Sequence, residues 1–322
     1  MKWINNIIWF AAGGIVCLAL CLVIGFSDST QVMEERPVVS TVTLSPEVPS
    51  QVTFCDHTLE LKRYNMHEGL DRELSSFTYY HSTTLLLFKR ANRYFPVIEP
   101  ILKANGIPDD FKYLAVIESH LDPNAVSPAH AAGMWQLLAS TAREYGLTVT
   151  SAVDERCHVQ RSTEAACLYL KDAYAKYGDW VTVALSYNAG MGRISSEMGR
   201  QQVASALNLW LVEETSRYVY RILAVKQIFE HPCKYGFVLT VENLYKPFVY
   251  EEVTVSDDIP DLAAYAREQG VTYADLKRFN PWLKDTGLKV AGKSFVLHIP
   301  RRESVSSETP NRTAHDMHWI VR

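Results

Sequence analysis

The sequence predicts a mainly α-helical domain followed by a small βααβ unit, behind an apolar N-terminal segment. Three observations predict it. Helix start and stop signals recur from about residue 68 to 230. Past Pro247 the pattern changes to an alternating strand, two short helices and a closing strand. Residues 7–26 carry no charge at all. The length of 322 residues fits about two domains at ~150 residues each. A chain that is 48% hydrophobic and 21% charged is ordinary globular material, and 15 Gly with 14 Pro exclude collagen-like and low-complexity classes. A net charge of -4 with no basic segment argues against nucleic acid as a partner. The 17 Tyr and 7 Trp serve either cores or sugar stacking, and composition does not choose.

Taken in order, residues 1–26 read as a membrane anchor or signal segment. The run from Ile7 to Phe26 reaches the ~20 residues a spanning helix needs. Lys2 precedes it, and Asp28, Glu34 and Glu35 follow, which keeps the start inside and exports the rest. The run exceeds the ~7–15 apolar residues usual in a signal peptide, which favours an uncleaved anchor over a cleaved leader. Residues 27–50, with Pro37, Pro46 and Pro49, read as a polar tether.

The helical domain is expected over 51–235, opened by a Val-Thr-Phe-Cys strand near residue 53. A helix begins near Asp110. Ser140 or Thr141 caps a short helix that Gly146 ends. Ser162 caps one running to about Tyr177, with Gly178 as its stop. Asp179 caps the next, and Glu214 and Thr215 open a long helix that stops before Pro232. The βααβ unit occupies 249–300, and 301–322 read as a loose polar tail. Four cysteines lie past the apolar run: Cys55, Cys157, Cys167 and Cys233. They permit two disulfides in an exported chain or four free thiols. Their spacing is not that of a zinc site, and no nucleotide loop or nucleophile triad stands out, so no metal or cofactor is expected.

The chemistry concentrates at residues 110–120. Phe111, Leu114, Ala115 and Glu118 follow i, i+3, i+4, i+7 spacing, which puts Glu118 on the apolar face of its helix. Desolvation there raises a carboxyl pKa, and an acid still protonated near neutral pH can donate to a glycosidic oxygen. Asp122, before Pro123, reads as a turn residue; Asp154 and Glu155 read as solvated loop charges; His130 reads as a solvated loop histidine.

Four segments then carry a resemblance. Glu118-Ser119, Gly133-Met134-Trp135-Gln136, Tyr187-Asn188-Ala189-Gly190 and Glu214-Thr215-Ser216-Arg217-Tyr218-Val219 occur in the order seen in lytic murein transglycosylases of the soluble-transglycosylase (SLT) type. The resemblance is nearest to the family's membrane-bound D-type branch. It implies a lysozyme-like (goose-type) α-helical catalytic domain with Glu118 as the single acid/base. Ser119 would orient Glu118 or the substrate's N-acetyl group, and Gln136, Tyr187, Asn188 and Tyr218 would line the groove. Trp135 replaces a common Met and is expected to form a groove wall, and His130 stands where glycine is usual. Residues 249–300 resemble a LysM module, with Leu276-x-x-Phe-Asn-Pro as its best match and the Gly-Asp-Thr loop absent.

The implied activity is non-hydrolytic cleavage of peptidoglycan between MurNAc and GlcNAc, leaving 1,6-anhydroMurNAc ends. The setting is the periplasmic side of a cell envelope, with glycan strands and, through residues 7–26, the membrane as partners. A lysozyme-like hydrolase and a non-catalytic wall-binding scaffold are the alternatives.

Overall fold

The computed structural model describes residues 44–322, apart from Ala204, Thr309 and Arg322. The expected anchor at 7–26, and the tether up to residue 43, lie outside the described residues. Among those described, no helix is long and apolar enough to cross a membrane.

The strand expected near residue 53 is one arm of a hairpin. β1 (Gln51–Phe54) pairs antiparallel with β2 (His57–Glu60), from Gln51↔Glu60 to Phe54↔His57. The two-residue turn puts Cys55 and Asp56 at φ 51° and 63°. Such turns usually announce themselves as Asn-Gly, so the second strand was invisible in sequence. The Cys55 amide donates to Asp110 Oδ2 at 2.7 Å, which ties the turn to the helical body. Phe54 also meets the Phe111 ring at 5.8 Å.

The helices are α1 (Tyr64–Tyr79), α2 (His81–Ala104), α3 (Lys112–Ser119), α4 (Ala139–Glu144), α5 (Val159–Tyr177), α6 (Trp180–Ala189), α7 (Met191–Gln201) and α8 (Glu213–Glu230). α2 continues through Pro96 and Pro100. Each proline costs a helix interior about 3 kcal/mol. The fully buried Phe95, Ile98 and Leu102 offset that cost by packing. Asp179 caps α6 as expected, accepting from the Val181 and Thr182 amides, and Gly178 ends α5 at φ 63°. Two cap assignments fail. α5 starts at Val159 with His158 at its N-cap, so Ser162 sits inside the helix, its hydroxyl on the Val159 carbonyl. α4 has Leu138 at its N-cap, with Ser140 and Thr141 in the first turn. A hydroxyl within the first turn looks the same as a cap when only the string is read.

α8 packs against α1, α3 and α6 and forms the centre of the domain. A second core holds the C-terminal unit: β3 (Tyr250–Val255), α9 (Leu262–Glu268), α10 (Tyr273–Phe279) and β4 (Phe295–Pro300). β3 and β4 pair antiparallel, Tyr250↔Pro300 to Val255↔Phe295. Asp261 and Thr272 cap the two helices. Val153 and Cys157 of the helical domain belong to this second core. The Asp154 amide donates to the Trp282 carbonyl and the Lys284 amide to that of Ala152, both at 2.8 Å. The unit is therefore docked onto the helical domain.

The segment past residue 300 is no loose tail. Trp319 is 2% exposed and packs its ring among Phe88, Phe95 and Phe229. His315 bonds Glu99, and the Asn92 side chain holds the His315 amide and the Thr313 carbonyl. One buried indole and a few anchored polar groups suffice to order a polar stretch. The four cysteines among the described residues are free: Cys55, Cys157 and Cys167 are buried and Cys233 is exposed. Burial pushes the first three thiols up, Cys167 to about 12, so they behave as core residues.

Candidate active site

α3 is buried on almost every face: Leu114, Ala115 and Val116 are all 0% exposed. Glu118 is half-buried, one residue before the end of this helix. Burial raises its carboxyl pKa above the usual value. A hydrogen bond from Tyr218 and the charge of Arg221 pull the other way, and Glu214 adds to the rise. The Tyr218 hydroxyl donates to Glu118 Oε1 at 2.5 Å, from α8, 100 positions away in sequence. Tyr218 is itself buried, and its own pKa is raised, first by burial and then by Glu118.

The chain leaves α3 through two consecutive left-handed residues, His120 (φ 53°) and Leu121 (φ 56°). Each costs about 1–2 kcal/mol for a side-chain-bearing residue. Arg90 holds this exit, donating to the His120 carbonyl at 2.8 Å and pairing with Asp122 at 3.4 Å. Asp122 also accepts from the Asn124 amide at 2.9 Å, the turn role expected of it.

The loop that follows is built on Gly133, at φ +80°. A Cβ there would lie 1.8 Å from the Arg156 carbonyl oxygen. Arg156 is fixed in turn: its Nε and Nη2 hold Asp154 at 2.9 and 2.8 Å, and its Nη1 donates to the His130 and Leu137 carbonyls. Asp154 and Glu155 are thus buried, at 9% and 7% exposure, and are not solvated loop charges. Arg156 and the Thr148 amide draw them inward, and Arg156 is itself held by the more distant His130 and Leu137 carbonyls. His130 is exposed, as expected, and sits at φ 61°, which explains why glycine suits that position.

Two of the residues singled out by sequence, Trp135 and Gln136, lie on this loop, and a third, Ser119, bonds to it. The Ser119 hydroxyl lies 2.8 Å from the Met134 carbonyl and 3.1 Å from that of Ala115. It ties α3 to the loop rather than facing the cleft. The Gln136 side-chain nitrogen is spent on the Gly133 and Ala125 carbonyls at 2.9 and 3.1 Å. Trp135 is not a groove wall. It is fully buried, its indole N–H on Thr163 Oγ1 at 2.9 Å, because an indole with one polar edge fits a core that offers one acceptor.

Tyr187 and Asn188 end α6 at Gly190 (φ 84°). The Tyr187 hydroxyl donates to the Trp135 carbonyl at 2.7 Å. Burial and the nearby Glu118 raise the Tyr187 pKa, so its ring lies within the acid's electrostatic reach. Asn188 is half-exposed beside it. α3, the Gly133 loop, α6 and α8 therefore converge on Glu118. Sequence reasoning missed Arg221 and read Glu214 only as a helix-opening motif residue; both are charged neighbours of the acid. The signal was present: Glu214 and Arg221 stand at i−4 and i+3 from Tyr218, on one helix face. Both line a cleft of about 610 Å³ with His120, Arg217, Tyr80 and the buried Glu73. Among the described residues, no cluster of His, Cys, Asp or Glu could hold a metal ion.

Comparison with known proteins gives family matches, related sequences and a related structure. Residues 96–209 match the Transglycosylase SLT domain, and residues 251–303 match the Soluble lytic transglycosylase C-terminal LysM-like domain. Membrane-bound lytic murein transglycosylase D of Escherichia coli K12 is 31% identical over 244 residues, covering 74% of this chain and 52% of that protein. Peptidoglycan transglycosylase gp16 of Escherichia phage T7 is 35% identical over 96 residues, 29% of this chain and 7% of its own. The 70 kDa soluble lytic transglycosylase SLT70 from Escherichia coli, a solved structure, is 17% identical, covering 53% of this chain and 31% of its own, with a TM-score of 0.39. The chain spans about half the length of the D-type relative it matches.

Proposed function

Since the chain carries an SLT transglycosylase domain and the LysM-like domain that follows it in soluble lytic transglycosylases, we propose that it cleaves peptidoglycan glycan strands between MurNAc and GlcNAc without water. One observation carries this reading: a single half-buried carboxyl, Glu118, raised in pKa by burial and hydrogen-bonded by the buried Tyr218. The raised pKa keeps the acid protonated further toward neutral pH, where it can donate to the leaving glycosidic oxygen. The Tyr218 hydrogen bond favours the carboxylate that results. That carboxylate then accepts the proton of the C6 hydroxyl as this oxygen attacks the anomeric carbon, closing a 1,6-anhydroMurNAc ring. The sugar's own N-acetyl carbonyl meets the charge at that carbon in between.

Two-carboxylate glycosidases need a second acid or base ~5–10 Å away. Asp122, Asp154 and Glu155 are each committed to other partners. Ser119 acts as a positioning residue through Met134, and Gln136 through its own loop. Tyr187, Asn188 and Tyr218 form the wall against which the sugar and the acid are held. Glu214 is the one nearby carboxylate that supports a second reading, a hydrolase in which it holds a water. We place the enzyme at the periplasmic side of a cell envelope, held there by residues 7–26, as the D-type relative's name and the uncharged run together suggest. The LysM-like unit's first part is structural, given the core it shares with the helical domain; glycan binding by it is a further part we assign by resemblance.

The test is digestion of purified murein by the full chain in detergent, with muropeptide ends read by mass spectrometry. Anhydro ends that disappear with Glu118→Gln are the expected result. Reducing ends that disappear with Glu214→Gln would replace the transglycosylase by the hydrolase. Binding without cleavage by either protein would leave a wall-binding scaffold.

A further inference from the structure

Trp210 is 85% exposed, more than any other large hydrophobic side chain among the described residues. Burying an indole is worth several kcal/mol, so a fold that leaves one in water needs a reason. The exposure is built in. Residues 207–212 alternate, with Leu207, Leu209 and Leu211 packed toward the core and Asn208, Trp210 and Val212 turned outward. The Trp210 backbone is clamped on both sides by the Gln201 side chain: its N–H donates to Gln201 Oε1 at 2.8 Å, and its carbonyl accepts from Gln201 Nε2 at 2.9 Å. The backbone is held at both polar groups, and the ring stands open to solvent among the described residues.

Beside Trp210 lies a hollow of about 250 Å³, whose walls include Arg72, Glu213, Arg217 and Tyr220. Glu213 and Arg217 are also walls of the larger cleft beside Glu118. The two hollows thus share Glu213 and Arg217, at the start of α8, as lining residues. The charges between them are already paired, Arg72 with Glu213 and Arg217 with Glu73, each at 2.5 Å. That suits a neutral polymer that offers hydroxyls to polar side chains, and does not select a strongly charged partner.

We propose that Trp210 is a stacking platform for a sugar ring of the glycan strand, one or more units beyond the bond that is cut. The proposal rests on the reading that the strand is the substrate. A pyranose presents an apolar C–H face to the indole and its equatorial hydroxyls to the Arg72–Glu213 rim. The platform holds the strand in the cleft while Glu118 acts on it. It makes the enzyme prefer strands long enough to reach past α8.

The experiment measures cosedimentation of the full chain with insoluble murein, in the Glu118→Gln background so that the strand is not consumed. Adding Trp210→Ala is expected to weaken binding about tenfold, the size of one lost aromatic anchor. Trp210→Tyr is expected to restore most of it. In the active enzyme, Trp210→Ala is expected to shift the products toward longer residual strands, with an unchanged melting temperature. Binding of Trp210→Ala within twofold of its parent overturns the platform while leaving the transglycosylase reading intact. A change of oligomeric state in Trp210→Ala, seen by gel filtration, overturns it in favour of a contact between copies. Failure of the Glu118→Gln parent to bind murein overturns the substrate reading, and the platform with it.

Discussion

Replacing Gly133 by alanine tests how the acid's surroundings are assembled. Two costs add at this position. An L-residue at φ +80° carries about 1–2 kcal/mol of backbone strain. The new Cβ would also stand 1.8 Å from the Arg156 carbonyl oxygen, against the 3.4 Å of ordinary contact. That oxygen cannot easily withdraw, because the Arg156 side chain is fixed to Asp154, His130 and Leu137. Overpacking of this kind costs about 1–3 kcal/mol. Together the loss is about 2–5 kcal/mol, or roughly 6–15 °C in melting temperature at ~3 °C per kcal/mol for a chain of this size. Gly146→Ala separates the two costs: it has φ +84° and nothing within 4 Å of the added Cβ, so only the strain remains. Its melting temperature is expected to fall by about 3–6 °C. The Gly133 variant should also lose murein cleavage while still folded. Its loop supplies the Met134 carbonyl to Ser119 and the Trp135 carbonyl to Tyr187. Thermal melts by circular dichroism and parallel digestion assays check both. A Gly133→Ala protein no less stable than Gly146→Ala would refute the argument that the Arg156 carbonyl forbids a side chain there.

Two further outcomes are expected. Tyr218→Phe removes the hydrogen bond that lowers the Glu118 pKa, so the acid stays protonated to higher pH. The alkaline limb of the cleavage rate against pH should then move upward, with a lower plateau, and a limb that stayed put or moved down would contradict the role given to Tyr218. Trp319→Ala empties a site among Phe88, Phe95 and Phe229. It should cost about 3–5 kcal/mol in a urea titration, whereas a loose terminal segment would show no change.

Much of the architecture follows from signals that act within one helical turn. Asp179, Asp261 and Thr272 cap the helices they precede, and Gly178 ends α5, because each satisfies or releases a nearby backbone group regardless of what packs above it. The placement of Glu118 in a buried helix was legible for the same reason, since apolar spacing reports which residues share a face. Where a signal had two local meanings, as with Ser162 or Ser140 near a helix start, the sequence misplaced the cap.

What the sequence could not show depends on partners far away in the chain. Glu118 becomes a candidate acid because Tyr218, Arg221 and Glu214 arrive from α8 to set its electrostatics. Asp154 and Glu155 look like solvated charges until Arg156, anchored on the distant His130 and Leu137 carbonyls, and the docked Trp282 carbonyl are seen to enclose them. Trp135 looks like a groove wall until Thr163 offers its indole an acceptor in the core. The polar C-terminal segment looks loose until Trp319 finds three phenylalanine rings. The sequence alone determined the helical character, the caps with one local meaning such as Asp179, and the order of the four motifs. Tertiary structure decided which charges are buried, which rings are exposed and which carboxyl can hold a proton, because burial and pairing belong to the packed chain rather than to any stretch of it.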